Sequence, residues 1–327
     1  MVNNFWHNKK ILITGVHGFV GSNLCKSLIN EGAEIYGIYK YNSSKSLLTI
    51  EKINDFNAIS FLNTNLNQLC ELLNDKEIEI CFHLAAQVEV GKAMNYPFDT
   101  LNNNINPTLN LLEALRNSKF IKKIIFSSTD KVYGEIEKSK LPYREIYTPI
   151  PKYPYEVSKL ICELSCKCYY ENYNLPIITT RTSNLYGPGQ LNFSALIPDL
   201  ILSALNRKTF TPRSNGEMLR EYLFIDDWIN ILKQIVQNED DNLYGETFNF
   251  GPDRPISIKE ITKIIYDKIN SKKTSEIMEK FNNVSNNNEI ILQFLDTSKS
   301  RKYFDLTKLI SIDLGINKTI EWYRNFF

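Results

Sequence analysis

The chain has 327 residues, 43% hydrophobic and 23% charged, with a formal net charge of +1. That is the composition of a soluble globular protein with apolar material for one large domain or two joined ones. A charge near zero argues against a nucleic-acid partner, no apolar run approaches the roughly 20 residues of a membrane span, and six scattered cysteines are no disulfide framework, so a reduced, cytoplasmic setting is expected.

Lys9 and Lys10 precede ILITGVHGFVG, but that run is short, carries glycines at turn spacing and lacks a cleavage-type ending, so it does not read as a signal peptide. Residues 10–14 (KILIT) form a short β-branched run, a buried strand. A helix follows, with Leu24, Leu28 and Ile29 at helical spacing and Gly32 as its stop. AEIYGIYK is a second strand, and EICFHLAAQ (79–87) and KKIIFSST (122–129) are two more. Between them PFDTLNNNINPTLNLLEALRN reads as a helix with Leu109, Leu112 and Leu115 on one side. Strands and helices alternating at this length predict an α/β fold, a Rossmann-type doubly wound parallel sheet.

Later segments change character. LPIITTRTSNLYGPG is a strand entering a Gly/Pro loop, and FSALIPDLILSALNRKTF is helical despite Pro198. EYLFIDDWINILKQIVQN reads as strand, turn and helix, GETFNFGPDRPISIKEITKIIYDKIN as strand, loop and helix, and 282–288 as a polar loop. The expected division is a dinucleotide-binding domain over 1–183, with 221–254 returning to it, and a smaller C-terminal substrate-binding lobe over 184–220 and 255–327.

Gly15, Gly18 and Gly21 lie between a strand and a helix. The first permits a tight turn, the second lets backbone approach a pyrophosphate, and the third lets the helix pack on the strand; the helix N-terminus then faces the anion. A purely structural turn is the plain alternative. The second strand ends without the acid that would hold an adenosine ribose. Lys40, Asn42, Ser43 and Ser44 stand there instead, which suits either a 2′-phosphate or backbone-held ribose, so NAD and NADP both stay open.

YEVSK puts Tyr155 and Lys159 at i and i+4 on one helix face. An ammonium there lowers the phenol pKa, and the phenolate takes a hydroxyl proton as hydride leaves carbon; alternatively Tyr155 packs and Lys159 is solvated. Thr129, Asp130 and Lys131 end the strand before it, where a doubly wound sheet meets its ligand. A surface ion pair is the bland reading of the last two. CELSCKC falls in a helical pattern and the chain has only three histidines, so no metal is expected.

The G-x-x-G-x-x-G spacing with Phe19, the SST–DK–VYG stretch, YEVSK, HLAAQ (83–87), R-x-x-N-x-Y-G-P-G at 181–189 and the GEMLREYLFIDD segment together resemble the extended short-chain dehydrogenases/reductases, the NAD-dependent epimerase/dehydratase family. The Phe–Trp opening, the LPY lead-in and TDK point to the CDP-glucose 4,6-dehydratase-like nucleotide-sugar 4,6-dehydratases. The resemblance implies oxidation at C4 of a nucleotide-diphosphate sugar, loss of water across C5/C6 and hydride return to C6. It implies Thr129 and Tyr155 at the 4-hydroxyl with Lys159, Asp130 as acid and Lys131 as base. It implies NAD or NADP held by Gly15, His17, Gly18, Phe19, Val20, Tyr39, Lys40, Asn65, Leu66, Leu84, Ala85, Ala86, Asn104, Tyr155 and Lys159, and substrate held by Gln87, Thr129, Asn184 and Arg220. Arg207, Lys208, Arg213 and Arg301 are further candidate cations for a diphosphate, and Glu221 replaces the family's usual aspartate. The alternatives are a 4-epimerase or 4-dehydrogenase/reductase on the same scaffold, or a dinucleotide-binding regulatory protein. A homodimer through the Tyr155 helix and the one before it is expected by the same analogy.

Overall fold

The structure is a computed structural model, describing residues 4–40, 46–60, 65–207, 209–284 and 292–327. In chain order the strands are β1 (Lys10–Thr14), β2 (Glu34–Tyr39), β3 (Asn57–Ser60), β4 (Ile80–His83), β5 (Lys123–Thr129), β6 (Ile177–Thr182), β7 (Asn184–Tyr186), β8 (Leu219–Arg220), β9 (Tyr222–Phe224), β10 (Thr247–Phe250), β11 (Ile256–Ser257) and β12 (Leu292–Gln293). The helices are α1 (Phe19–Asn30), α2 (Leu47–Ile50), α3 (Leu66–Asp75), α4 (Val90–Asn95), α5 (Pro97–Arg116), α6 (Pro154–Tyr173), α7 (Leu196–Ala204), α8 (Ile225–Gln237), α9 (Ile258–Asn270), α10 (Thr274–Asn282) and α11 (Ile312–Phe326).

Seven strands make one sheet in the order β10-β6-β5-β4-β1-β2-β3, and every pairing in it is parallel. Its side chains obey the period of two that a strand imposes. Ile11, Ile13, Phe82 and Ile125 join a core with α1 and α8, while Leu12, Cys81, Ile124 and Phe126 join a second core with α3, α5 and α6. Helices therefore cover both faces, which is the doubly wound arrangement. The chain leaves β1 toward β2 on one side and returns to β4 on the other, so the switch point, where such sheets bind ligands, lies at the carboxyl ends of β1 and β4.

Beyond that edge lie the pair β7–β9 and the three-stranded sheet β11-β8-β12. α7, α9, α10 and α11 pack there, in a core continuous with the α1–α8 face.

Several elements differ locally from expectation. β4 stops at His83, and Leu84–Gln87 run on as loop. Phe224 passes straight into α8 with no turn between. In α5, Leu112 and Leu115 are buried but Leu109 faces outward, because a 3.6-residue period carries that position off the packed stripe. Asn42, Ser43, Ser44, Lys208 and residues 285–288 lie outside the described residues.

Candidate active site

The glycine loop has hard steric reasons for its sequence. Gly15 sits at φ +72°, and a Cβ there would meet the Ala85 Cα at 2.9 Å. A Cβ on Gly21 would lie 2.2 Å from the Gly15 carbonyl oxygen, so only glycine lets α1 approach β1 this closely. Gly18 N–H donates to that same oxygen at 2.8 Å, fixing the turn. No side chain caps the N-terminus of α1, so the amides that follow Gly18 face the cavity as an anion site.

Three contiguous cavities run along the carboxyl edge of the sheet. The first, about 430 Å³, lies between Gly15, His17, Gly18, Tyr39, Lys40, Ala85, Ala86 and Gln87. His17 is fixed by Ser46 at 3.1 Å and stands edge-on to Tyr39. Lys40 donates to Asn103 at 2.5 Å. The second, about 420 Å³, is bounded by Gly15, Gly18, Phe19, Val20, Leu84, Ala86, Thr129, Lys131, Tyr155 and Lys159. The third, about 460 Å³, holds Lys131, Asn184, Arg213 and Arg220 together with Phe210, Met218 and Phe281. Lys131 and Asn184 wall both the second and the third.

β5 delivers Thr129, Asp130 and Lys131 to this junction, and α6 brings Tyr155 and Lys159. Pro154 opens α6 at a position that needs no N–H, and the Glu156 carboxylate accepts the backbone N–H of Lys152 and Tyr153. Thr129 Oγ1 donates to Asp130 Oδ1 at 3.2 Å and accepts the Lys131 N–H at 3.3 Å. Lys131 Nζ lies 3.3 Å from Asp130 Oδ1 and 3.2 Å from Asn184 Oδ1. Asp130 is 1% exposed; it is not among the residues walling the cavities and meets them through Thr129 and Lys131.

Lys159 is buried, donates to the Ser127 carbonyl at 2.5 Å and stands over the Phe126 ring at 4.4 Å. Burial pushes its pKa down. The Tyr155 phenol is held above its ordinary value by burial and by the Asp130 charge, with the neighbouring Thr129 hydroxyl pulling the other way.

Behind the site is a buried chain that sequence reasoning missed. Thr108 donates its hydroxyl proton to Asn104 O, so it accepts from His83 Nε2; His83 Nδ1 then faces Thr14 Oγ1 at 2.7 Å. Thr14 Oγ1 also accepts the Leu84 and Ala85 N–H groups at 3.2 Å each. Burial and the nearby Lys159 charge push His83 down to about 3, keeping it neutral. This chain pins Ala85 against Gly15; HLAAQ marks His83, but nothing local marks Thr14 and Thr108 as its partners.

Four expected ligand residues have structural partners or places of their own. Asn104 does not wall a cavity: its carboxamide ties Gln87 N (2.7 Å), Gln87 O and Ser158 Oγ together, making it a staple between α5, α6 and the loop after β4. Asn65 is the N-cap of α3, in a reciprocal capping box with Gln68, and neither it nor Leu66 lines the first cavity. Gln87, expected at the substrate, borders the first cavity with its Oε1 buried and without a partner among the described residues. Asn184 does reach the junction, and Arg220 does line the third cavity. Arg301 is committed to Asp253 at 2.6 Å and Arg207 does not line the third cavity. Glu221 accepts the Arg254 and Leu295 backbone N–H at 3.1 and 2.9 Å. Ser128 and Ser183, buried hydroxyls without a hydrogen-bond partner among the described residues, border the second cavity and were not singled out from sequence. The cysteines of CELSCKC lie along α6, with Cys162 and Cys166 buried and Cys168 exposed.

The profile of the NAD dependent epimerase/dehydratase family matches residues 11–251. The chain belongs to that family. It is 28% identical over 327 residues to the dTDP-D-glucose 4,6-dehydratase of Homo sapiens, covering 98% of this chain and 91% of that one. It is 30% identical over 325 residues to a trifunctional UDP-glucose 4,6-dehydratase/UDP-4-keto-6-deoxy-D-glucose 3,5-epimerase/UDP-4-keto-L-rhamnose-reductase of Arabidopsis thaliana, spanning 96% of this chain but about half (47%) of the length of that relative. The UDP-glucuronic acid 4-epimerase of Bacillus cereus, solved with UDP-glucuronic acid and NAD, superposes with a TM-score of 0.82 at 29% identity, over 97% of this chain and all (100%) of that one. Among the described residues no helix is long and apolar enough to cross a membrane.

Proposed function

We propose that this member of the family is a nucleotide-sugar 4,6-dehydratase working with a nicotinamide dinucleotide. The residues fit such a cofactor. An uncapped helix N-terminus faces the glycine turn, and the buried, unpartnered Ser128 and Ser183 hydroxyls border the adjoining cavity. Lys40 in the first cavity supports a 2′-phosphate and hence NADP; the NAD bound by the Bacillus cereus relative supports NAD. In the expected division of the chain, the dinucleotide lies on 1–183 with 221–254, and the sugar nucleotide lies between that unit and 184–220 with 255–327.

The observation that carries the reading is the Asp130–Lys131 pair at the junction of two cavities. A bound nicotinamide would supply a hydride acceptor for C4 and a hydride donor for C6. Everything else is proton traffic by this chain. Tyr155 takes the 4-hydroxyl proton, with Thr129 hydrogen-bonding the same oxygen and buried Lys159 supplying positive charge nearby. Moving one proton across the 3.3 Å contact turns the ion pair into a neutral amine and a carboxylic acid. The amine takes the C5 proton. The C6 oxygen leaves as water with the carboxyl proton, relayed by Thr129 or Lys131, the groups that join Asp130 to the cavity. Hydride arriving at C6 would leave an enolate, which takes a proton back at C5 from the Lys131 ammonium after exchange with solvent, and the proton held by Tyr155 is then released to restore the starting charges. A 4-epimerase is the second reading. It is favoured by Asp130 standing off the cavity wall, since epimerisation at C4 asks nothing of that carboxyl. Turnover in D2O separates them: a dehydratase places one solvent deuterium at C5 of its product, and an epimerase leaves C5 untouched.

A homodimer through α5 and α6 belongs to the same reading, supported by the outward Leu109, Ile161 and Leu164 on those two helices, 37, 36 and 58% exposed.

A further inference from the structure

We propose that Gln293 is a substrate-binding residue that holds the nucleoside-diphosphate half of the substrate; this rests on reading the third cavity as the sugar-nucleotide site. Gln293 lies on β12, 4% exposed, and borders that cavity. Its Nε2 is buried, and among the described residues nothing accepts a hydrogen bond from it. A buried amide donor without an acceptor is costly and rare in native proteins, so its position calls for an acceptor supplied from the cavity.

The register says which part of a ligand that is. β12 pairs in parallel with β8, and Gln293 stands opposite Arg220. Side chains opposite one another on neighbouring strands share a face, so the carboxamide and the guanidinium enter the cavity side by side. Lys131 and Asn184, where the reacting sugar carbons belong, lie toward the junction with the second cavity. Arg213 and Arg220 give an arginine-rich wall suited to phosphate oxygens. Phe210 and Phe281, with ring centroids 6.0 Å apart, and Met218 give an apolar wall suited to a flat base. A neutral donor next to Arg220 fits a ribose or phosphate oxygen.

The test uses nucleoside diphosphates without any sugar. UDP, CDP, dTDP and GDP are titrated by calorimetry into the full chain and into Gln293→Met and Gln293→Asn, and unliganded melting temperatures are recorded. We expect the wild type to bind at least one of them, and both variants to bind it about tenfold more weakly, the loss of roughly one hydrogen bond. The unliganded Gln293→Met protein melts no lower than wild type, since a dissatisfied buried donor has been removed. Variants that bind the diphosphate as tightly as wild type, or that melt lower while binding unchanged, overturn the role of Gln293. A wild type that binds none of the four overturns the sugar-nucleotide reading of the cavity itself, and the inference with it.

Discussion

The Lys131 ammonium is held between the buried Asp130 carboxylate, at 3.3 Å, and the carboxamide oxygen of Asn184, at 3.2 Å. This places a base-forming group where the second and third cavities meet. The proposed water elimination therefore depends on Asp130 far more than the preceding oxidation does. Asp130→Asn is expected to cut dehydration by about 10²–10⁴-fold, the usual worth of a positioned acid or base, while transient reduction of the bound cofactor by substrate survives. Stopped-flow absorbance of the reduced cofactor, beside product mass, measures the two separately.

The same variant should shift a titration. Burial first, and the Asp130 charge second, raise the Tyr155 phenol, and the oxidation step needs its phenolate. The rate of cofactor reduction should therefore climb with pH in the wild type, and in Asp130→Asn that climb should move to lower pH. An unchanged profile would mean that the carboxylate does not act on the phenol.

Gly21→Ala should be damaging out of proportion to one methyl group. The new Cβ would fall 2.2 Å from the Gly15 carbonyl oxygen, so α1 must move away from the turn that presents its N-terminus. A loss of about 1–3 kcal/mol is expected from such overpacking, read as a lower melting temperature, together with loss of retained dinucleotide in the purified protein.

Glu221 gives a pH dependence of stability. Burial pushes it up to about 8 although two backbone N–H groups favour its charged form. The unfolded carboxyl ionises near its ordinary 4.5, so between these values the folded state holds the extra proton. The linked stability is fully present below about 4.5 and is lost as pH rises through about 8. Glu221→Gln should melt lower throughout, because one of the Arg254 and Leu295 amides then faces an NH2, but its melting temperature should fall less between those pH values. Melting curves at several pH values check both parts.

Much of this was legible in the sequence where function or fold is written locally. Gly18 and Gly21 are forced by the Gly15 carbonyl a few residues away and Gly15 by its own positive φ, and Tyr155 and Lys159 share a face through helical spacing alone. What escaped depends on remote packing. Asn65, expected at the cofactor, is also the N-cap of α3, with Gln68 three residues on completing the capping box. Asn104, expected at the cofactor, also joins Gln87 and Ser158 from two other elements, partners that no local pattern announces. His83 is neutral because it is buried beside the Lys159 charge, and its partners Thr14 and Thr108 come from β1 and α5. Gln293 sits next to a polar, asparagine-rich stretch and gains meaning only once β12 lies against Arg220.

The central claim is that the chain removes water from a nucleotide sugar. The most direct measurement is incubation of the purified protein, with NAD and with NADP, against a panel of nucleotide sugars read by mass spectrometry. The account predicts a product lighter than its substrate by one water, with no net cofactor reduction. A product of unchanged mass with inverted C4, or one lighter by two hydrogens with stoichiometric reduced cofactor, would contradict it.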